Sequence, residues 1–171
     1  MVITKYISIF FLFFFLTNSA QSFTDSENKG AQSTGREDLS HMNVTNNNFK
    51  KGLAAMKQAM KYKKKEKVQK AKKRFNDCIK FFLAANEEKP NQSQILFYLG
   101  FSYKNVGDKM MAEIYYEQGL EIDPEHININ KYLGELYIET NRINNAKERL
   151  IVLKSCNCKE YEELNFLVSK Y

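Results

Sequence analysis

The sequence predicts an all-α protein, an α-solenoid of about three antiparallel helix pairs closed by a C-terminal capping helix. The first observation is a set of small, aromatic and leucine residues that recurs at one constant offset along the chain. The second is the helical spacing of the apolar residues within each copy, and the third is a proline after each of two predicted second helices. A self-match at one period indicates stacked repeats. The recurring residues are Leu99, Gly100, Tyr103 and Ala112, matched by Leu133, Gly134, Tyr137 and Ala146.

Residues 1–22 have the layout of a secretory signal peptide. Lys5 precedes an apolar run at residues 7–16, and small polar residues follow up to Ser22. About ten apolar residues are too few to span a bilayer comfortably, so cleavage after export is expected. An uncleaved membrane anchor is the alternative. We therefore expect an exported protein that is periplasmic, or secreted, once residues 1–22 are removed.

Residues 23–46 differ in composition from the rest of the chain. They consist mainly of Ser, Thr, Asn, Gln, Asp, Glu and Gly. Such a segment cannot bury enough apolar surface to offset the entropy lost on ordering. We predict a disordered polar tether here, followed by a helical repeat domain over residues 47–171.

The first repeat, predicted at about residues 59–92, matches the pattern in its second helix but not in its first. Apolar residues at helical spacing begin at Phe49 and continue to Met60. An offset of 34 from Gly100 falls on Glu66, which breaks the pattern. Terminal repeats are commonly atypical, so a degenerate first unit is expected. In the second helix, the counterparts of Ala112, Tyr116 and Pro124 are Cys78, Phe82 and Pro90.

Two regular repeats follow at about residues 93–126 and 127–158. In the first of them, Gly107 supplies a turn residue that tolerates positive φ. Asn141 takes the same position in the next repeat. The small residues of the repeated set allow two antiparallel helices to cross closely. Residues 159–171 carry apolar side chains at helical spacing and are predicted to cap the last exposed face.

The positive charge of the chain is concentrated in residues 50–74. The whole chain has a formal net charge of +6, but this segment alone has twelve basic residues and one acidic residue. Residues 75–171 have eleven basic and fifteen acidic residues. We interpret the basic segment as a solvated helical face, with contact to anionic lipid headgroups or to an acidic partner as the alternative. The segment has a single arginine and one aromatic residue, Tyr62. This composition argues against nucleic acid as its ligand.

In these repeats the chain resembles tetratricopeptide-repeat (TPR) proteins. The likeness extends over residues 90–154 and rests on the runs YLGFSY at 98–103, YYEQGL at 115–120 and YLGELY at 132–137. The chain is similar in particular to small exported TPR proteins of alphaproteobacteria. Their last repeat ends in leucine and two cysteines, and the similar stretch here is LKSCNCKEY at 153–161, with a shorter spacing between the cysteines.

The resemblance implies a concave groove, lined by the inner faces of the first helices and typically used to hold a peptide or a partner helix. Phe97 and Phe101 are predicted to be exposed apolar anchors in it. The alternative is that the basic first helix, or the tether, folds over them and they belong to the core. The lysine and asparagine set with which chaperone-binding relatives clamp a C-terminal carboxylate is not present, so that ligand is not predicted. The predicted groove residues are Phe97, Phe101, Lys104, Asn105, Lys131, Glu135, Ile138 and Glu139.

Three cysteines are too few for the disulfide framework of a small secreted domain. Cys78 occupies a small-residue crossing and is predicted to be a buried apolar residue. Cys156 and Cys158 leave three interpretations open in an oxidising compartment: a short-range disulfide, a link to another chain or a soft-metal site. The disulfide is the leading one, because two thiols alone make an incomplete metal site.

No motif typical of an enzyme is visible in the sequence. There is no nucleophile with a base, no glycine-rich phosphate loop and no paired-carboxylate motif, so we expect no catalysis, cofactor or metal. The leading hypothesis is a non-enzymatic adaptor or scaffold that binds another protein or peptide through the groove. The alternative is a peripheral membrane or envelope-structural protein that docks on anionic lipid through a basic helix over Lys50–Arg74. No nucleic-acid partner is expected.

Overall fold

The computed structural model describes residues 47–171 of the protein. Within that range the chain forms seven α-helices and no β-strand. The expected signal peptide at 1–22 and tether at 23–46 lie outside the described residues. The helices are α1 Asn47–Lys64, α2 Val68–Glu88, α3 Ser93–Val106, α4 Lys109–Ile122, α5 Ile127–Glu139, α6 Ile143–Leu153 and α7 Lys159–Val168.

The first six helices form three successive pairs, α1 with α2, α3 with α4 and α5 with α6. The pairs stack because α2 also packs against α3, and α4 against α5. The last helix, α7, packs against both α5 and α6. This confirms the predicted all-α solenoid of three helix pairs with a C-terminal cap.

One hydrophobic core runs through the three pairs and the cap. A close helix crossing lies at Gly100, where a Cβ atom would be 2.5 Å from the ring of Tyr116 and 3.0 Å from the carbonyl oxygen of Ala112. A side chain at this position would therefore push the two helices apart. The small residues of the second helices lie in the core without exposure; they are Cys78, Ala112 and Ala146.

The first pair contains the same crossing, but not at the position that the constant offset predicts. A Cβ atom on Gly52 would lie 2.5 Å from the ring of Phe82, just as one on Gly100 would meet Tyr116. Phe82 precedes Tyr116 by the constant offset of the repeats, whereas Gly52 lies much farther than that from Gly100. The first helix of this unit is therefore not degenerate; its signature glycine is displaced along the chain.

The turn inside each pair confirms this correspondence. Each turn has one residue with positive φ, namely Glu66 at 56°, Gly107 at 100° and Asn141 at 60°. In each turn the next amide donates to a tyrosine carbonyl oxygen five residues earlier, a bond that closes the end of a helix. The donor and acceptor pairs are Lys67 and Tyr62 at 3.0 Å, Asp108 and Tyr103 at 3.0 Å, and Arg142 and Tyr137 at 2.7 Å.

The pair of α1 and α2 is thus a regular unit with seven extra residues between the crossing and the turn in each helix. Gly52 lies fourteen residues before the turn residue Glu66, whereas Gly100 lies seven before Gly107. The separation between the turn residue and the buried aromatic residue of the second helix is sixteen residues in the first pair and nine in the second pair. Seven residues extend a helix by about 10 Å. The expected start of the first repeat, near residue 59, falls inside α1.

The cysteines fall into two environments. Cys78 is fully buried, and this burial raises the pKa of its thiol to about 12, with a smaller contribution from Asp77. A thiol held protonated in this way is unreactive. Cys156 and Cys158 are joined by a disulfide with their Cα atoms 5.1 Å apart, the first of the three arrangements that the sequence leaves open.

Two kinds of feature are absent from residues 47–171. In this range no helix is both long enough and apolar enough to cross a membrane. The same residues contain no cluster of three or more His, Cys, Asp or Glu side chains with a geometry that could hold a metal ion.

Candidate functional site

The first helices of the three pairs line one continuous pocket. Its volume is about 430 Å³, and α1, α3 and α5 all contribute to its wall. Five of the eight predicted groove residues lie in it, together with Lys63 and Tyr132, which the sequence does not single out. The lining residues are Lys63, Phe101, Lys104, Asn105, Tyr132, Glu135 and Glu139.

The aromatic floor of the pocket is a pair of rings from neighbouring repeats. Phe101 of α3 and Tyr132 of α5 meet edge to face, with ring centroids 5.1 Å apart. Phe75 of α2 supports Phe101 from below, at 6.1 Å. Both floor residues are half-buried, so each has part of its ring available to a ligand. Aromatic rings in this position offer apolar contact area with little loss of conformational freedom.

Phe97 is a core residue, not the exposed anchor that the sequence predicts. It is 5% exposed, and its ring lies 5.6 Å from that of Tyr132 and 6.0 Å from that of Phe101. The ring of Tyr116 lies on it from α4 at 6.4 Å. The covering ring of Tyr132 comes from the next repeat, because the first helices of adjacent pairs approach each other here. Among the described residues, the rings that pack on Phe97 belong to residues 98–132 and not to the basic first helix.

Lys63 brings the end of α1 to the rim of the pocket. Its Nζ donates to Oδ1 of Asn105 at 2.6 Å, and the Asn105 amide nitrogen donates in turn to the carbonyl oxygen of Phe101 at 2.8 Å. The extra turns of α1 make this contact, because α1 would end before residue 63 if it had the length of α3. A search at one constant offset could not find it.

An ion-pair ladder crosses the groove from α3 to α7. Lys104 pairs with Glu135 and Glu139, each at 3.0 Å. Lys131 pairs with Glu135 at 2.9 Å and with Glu163 at 3.0 Å. Both lysines are thus engaged by two carboxylates each, and neither is available as an isolated cation. A ligand that needs a free lysine clamp is not favoured by this arrangement.

Lys131 lies deepest in the ladder. It is buried, with its ammonium group 4.1 Å from the centroid of the Tyr132 ring. Burial alone would lower its pKa, but the hydrogen bonds and the charges of Glu135 and Glu163 outweigh it and raise the pKa above the usual range. Lys131 therefore stays charged and holds α5 against α7, while Ile138 packs against the core outside the pocket.

The residues that recur in each repeat contribute to packing. Tyr116 is fully buried, and its hydroxyl has no hydrogen-bond partner among the described side chains and backbone. Burial raises its pKa well above the ordinary value. Gly134 faces Leu164 of α7, whose side chain would lie 2.6 Å from an added Cβ atom. The repeated residues thus build the scaffold, and their neighbours on the first helices face the groove.

Comparison with known proteins supports the family likeness for one repeat. Residues 93–126 match the family described as Tetratricopeptide repeat. No curated protein sequence matches the chain.

Several solved structures share the fold. The first TPR of Spaghetti (RPAP3) bound to an HSP90 peptide has a TM-score of 0.53 and 16% identity, and the match covers 71% of this chain and 94% of that chain. The Yersinia enterocolitica type III secretion chaperone SycD, in complex with a peptide of the translocator YopD, has a TM-score of 0.51 and 19% identity, with coverage of 69% and 86%. At these identities the likeness concerns the fold, and residues 47–171 form a TPR-type α-solenoid.

Proposed function

We propose that this protein is a non-enzymatic adaptor or scaffold that binds another protein or peptide through the groove. The observation that carries the proposal is the pocket of about 430 Å³, which three consecutive first helices line with an aromatic floor and a polar rim. Both solved structures described above are complexes with a peptide, which supports the same use of the fold here. The lining residues form no arrangement typical of a catalytic site.

The chemistry of the pocket favours an internal segment of a partner with an apolar side chain over the floor. Phe101 and Tyr132 offer partly exposed rings for such a side chain. Lys63 and Asn105 lie at the rim, where they can bind backbone carbonyl oxygens or a polar group. Lys104 is already paired with two carboxylates, so a terminal carboxylate would have to displace them.

The binding test uses a photo-reactive amino acid at position 101, with the same group at Met110 as the control. Met110 is 70% exposed on α4 and does not line the pocket. We expect position 101 to crosslink a partner in cells and position 110 not to do so. Lys63→Ala/Asn105→Ala, which leaves the core intact, is expected to weaken the crosslink. Equal crosslinking at both positions, or a crosslink insensitive to the double variant, would exclude the groove.

A second proposal concerns the cellular location of this function, and it rests on the sequence of residues 1–22. We propose export, with a periplasmic or secreted mature protein, in line with the resemblance to small exported TPR proteins. The mass of the protein purified from each cell fraction tests it. Loss of about twenty residues in an extracytoplasmic fraction is the expected result. A full-length protein found in the cytoplasm would overturn the proposal without affecting the groove.

A further inference from the structure

The extended part of the first pair is a cluster of cations. We call residues 57–74 the hairpin tip. It contains ten basic residues and one acidic residue. Of these cations, Arg74 pairs with Asp77 at 3.0 Å, and no lysine of the tip forms an ion pair within residues 47–171. Lys63, which binds Asn105, is the one tip lysine with a side-chain hydrogen bond in the same range.

The packing inside the hairpin keeps these cations pointed outward. Ala59 of α1 and Ala71 of α2 are both buried between the two helices. Small residues on both sides allow a close approach that leaves no interior room for a lysine side chain. All the lysines of the tip are exposed, so they surround the end of the hairpin instead of lying along one face.

Two clefts at the turn gather the lysines into groups. Lys61, Lys65 and Lys67 line an open cleft of about 410 Å³ together with Gln58 and Tyr62. The turn residue Glu66, with its positive φ, brings the lysines on its two sides to the same cleft. Three ammonium groups and an amide around one opening are suited to phosphate oxygens, which attract clustered lysines without regard to sequence.

A second cleft, of about 170 Å³, lies between the tip and α3. Lys63, Lys72 and Asn105 line it beside the apolar residues Val68, Ala71 and Phe75. Val68 is 59% exposed. The tip therefore offers aliphatic surface directly beside its cations.

We propose that the hairpin tip docks the protein on the headgroups of an anionic phospholipid bilayer. Clustered lysines are attracted to such a surface, and exposed Met60 and Val68 provide short aliphatic groups to contact it. Nucleic acid fits less well, because the tip has one arginine and its one aromatic residue, Tyr62, is half-buried. The tip shares Lys63 with the rim of the groove, but Lys61, Lys65 and Lys67 lie outside the groove. The docking proposal therefore does not depend on the proposed peptide ligand.

The test is co-sedimentation of the full chain with vesicles of phosphatidylcholine alone or mixed with phosphatidylglycerol. The tip variant is Lys61→Gln/Lys65→Gln/Lys67→Gln. The matched control is Lys50→Gln/Lys51→Gln/Lys80→Gln, which changes the same charge on exposed lysines of the same two helices. The control lysines lie about 20 Å from the turn along their helices, beyond the distance over which charges interact at physiological salt. The predicted N-terminal segment is present in all three proteins, so its contribution cancels.

We expect phosphatidylglycerol to increase binding over phosphatidylcholine alone, and added salt to reverse that increase. The tip variant should lose about a hundredfold in partition coefficient, because each lysine near the surface contributes about fivefold; the control should bind like the wild type. Equal loss in both variants would overturn the proposal, because it would mean attraction by overall charge alone. Full retention by the tip variant, displacement by inorganic phosphate at constant ionic strength, or tighter binding to duplex DNA than to the vesicles would also overturn it.

Discussion

Gly52 lies at a close contact between α1 and α2, where the absence of a side chain makes room for the ring of Phe82. An added Cβ atom would lie 2.5 Å from Phe82, a ring that is itself packed between Phe49 at 5.7 Å and Tyr98 at 5.0 Å. The ring therefore has little room to move aside. The position demands glycine for the same physical reason as Gly100.

We predict that Gly52→Ala destabilises the protein although alanine is the better helix former. The gain in helix propensity is about 1 kcal/mol, whereas forcing a methyl group into a filled space costs about 1–3 kcal/mol, with a further cost if the helices separate. A lower midpoint in urea-induced unfolding is the expected outcome.

Lys51→Ala is the control for this substitution, because Lys51 is the exposed neighbour on the same helix. Its effect should stay within about 0.5 kcal/mol. If Gly52→Ala proved as stable as Lys51→Ala, Gly52 would not be the counterpart of Gly100.

At the scale of elements, the sequence predicts α3 to α6 well, because small residues, tyrosines and turn residues recur there at one period. It also predicts the cap, since a stack of helix pairs leaves an apolar face to be covered. It does not predict the length of the first pair, because a search at one period cannot follow an insertion divided between two helices.

Within the site, the prediction for Phe97 is wrong because periodicity does not show which ring the next repeat covers.

The attachment of α7 depends on pH through the ion-pair ladder. Hydrogen bonds from Lys159 and Lys131 hold the pKa of Glu163 below its ordinary value of 4.5. As the pH falls through 4.5, the unfolded chain takes up a proton at this residue before the folded chain does. The stabilisation by Glu163 is therefore complete above that pH, and it is lost as the pH falls further through the folded pKa.

We accordingly predict that the stability of Glu163→Gln depends less on pH in the acid range than the stability of the wild type. The free energy of unfolding of the wild type should fall more steeply on acidification than that of the variant, as measured by urea unfolding at a series of pH values. Glu162→Gln is the matched control, because Glu162 is exposed on the same turn of α7. Identical slopes for the wild type and Glu163→Gln would show that the ladder does not couple α7 to pH.

Across the whole molecule, the charges are divided between two regions of opposite character. The groove pairs its cations with carboxylates, whereas the hairpin tip brings like charges together. Lys57, Lys61 and Lys64 follow one another in α1 at spacings of four and three residues, at which like charges repel by about 0.2–0.5 kcal/mol per pair. The tip therefore opposes folding at low ionic strength.

We predict that the tip variant Lys61→Gln/Lys65→Gln/Lys67→Gln is more stable than the wild type at low salt, by about 1 kcal/mol. The difference should vanish near 1 M salt, where the Debye length is about 3 Å. Thermal unfolding across a salt series measures it. The control variant at Lys50, Lys51 and Lys80 should show a smaller change. A tip variant less stable than the wild type at low salt would contradict the prediction.

The seven extra residues in each helix of the first pair are close to two complete turns, because two turns take about 7.2 residues. An insertion of this size lengthens a helix without rotating its inner face away from its partner. The hairpin is for that reason a spacer of adjustable reach. Deleting seven residues on each side of the turn at Glu66 should give a shorter repeat with its crossing at Gly52 intact, and a further seven on each side would carry the lysines about 10 Å farther from the solenoid.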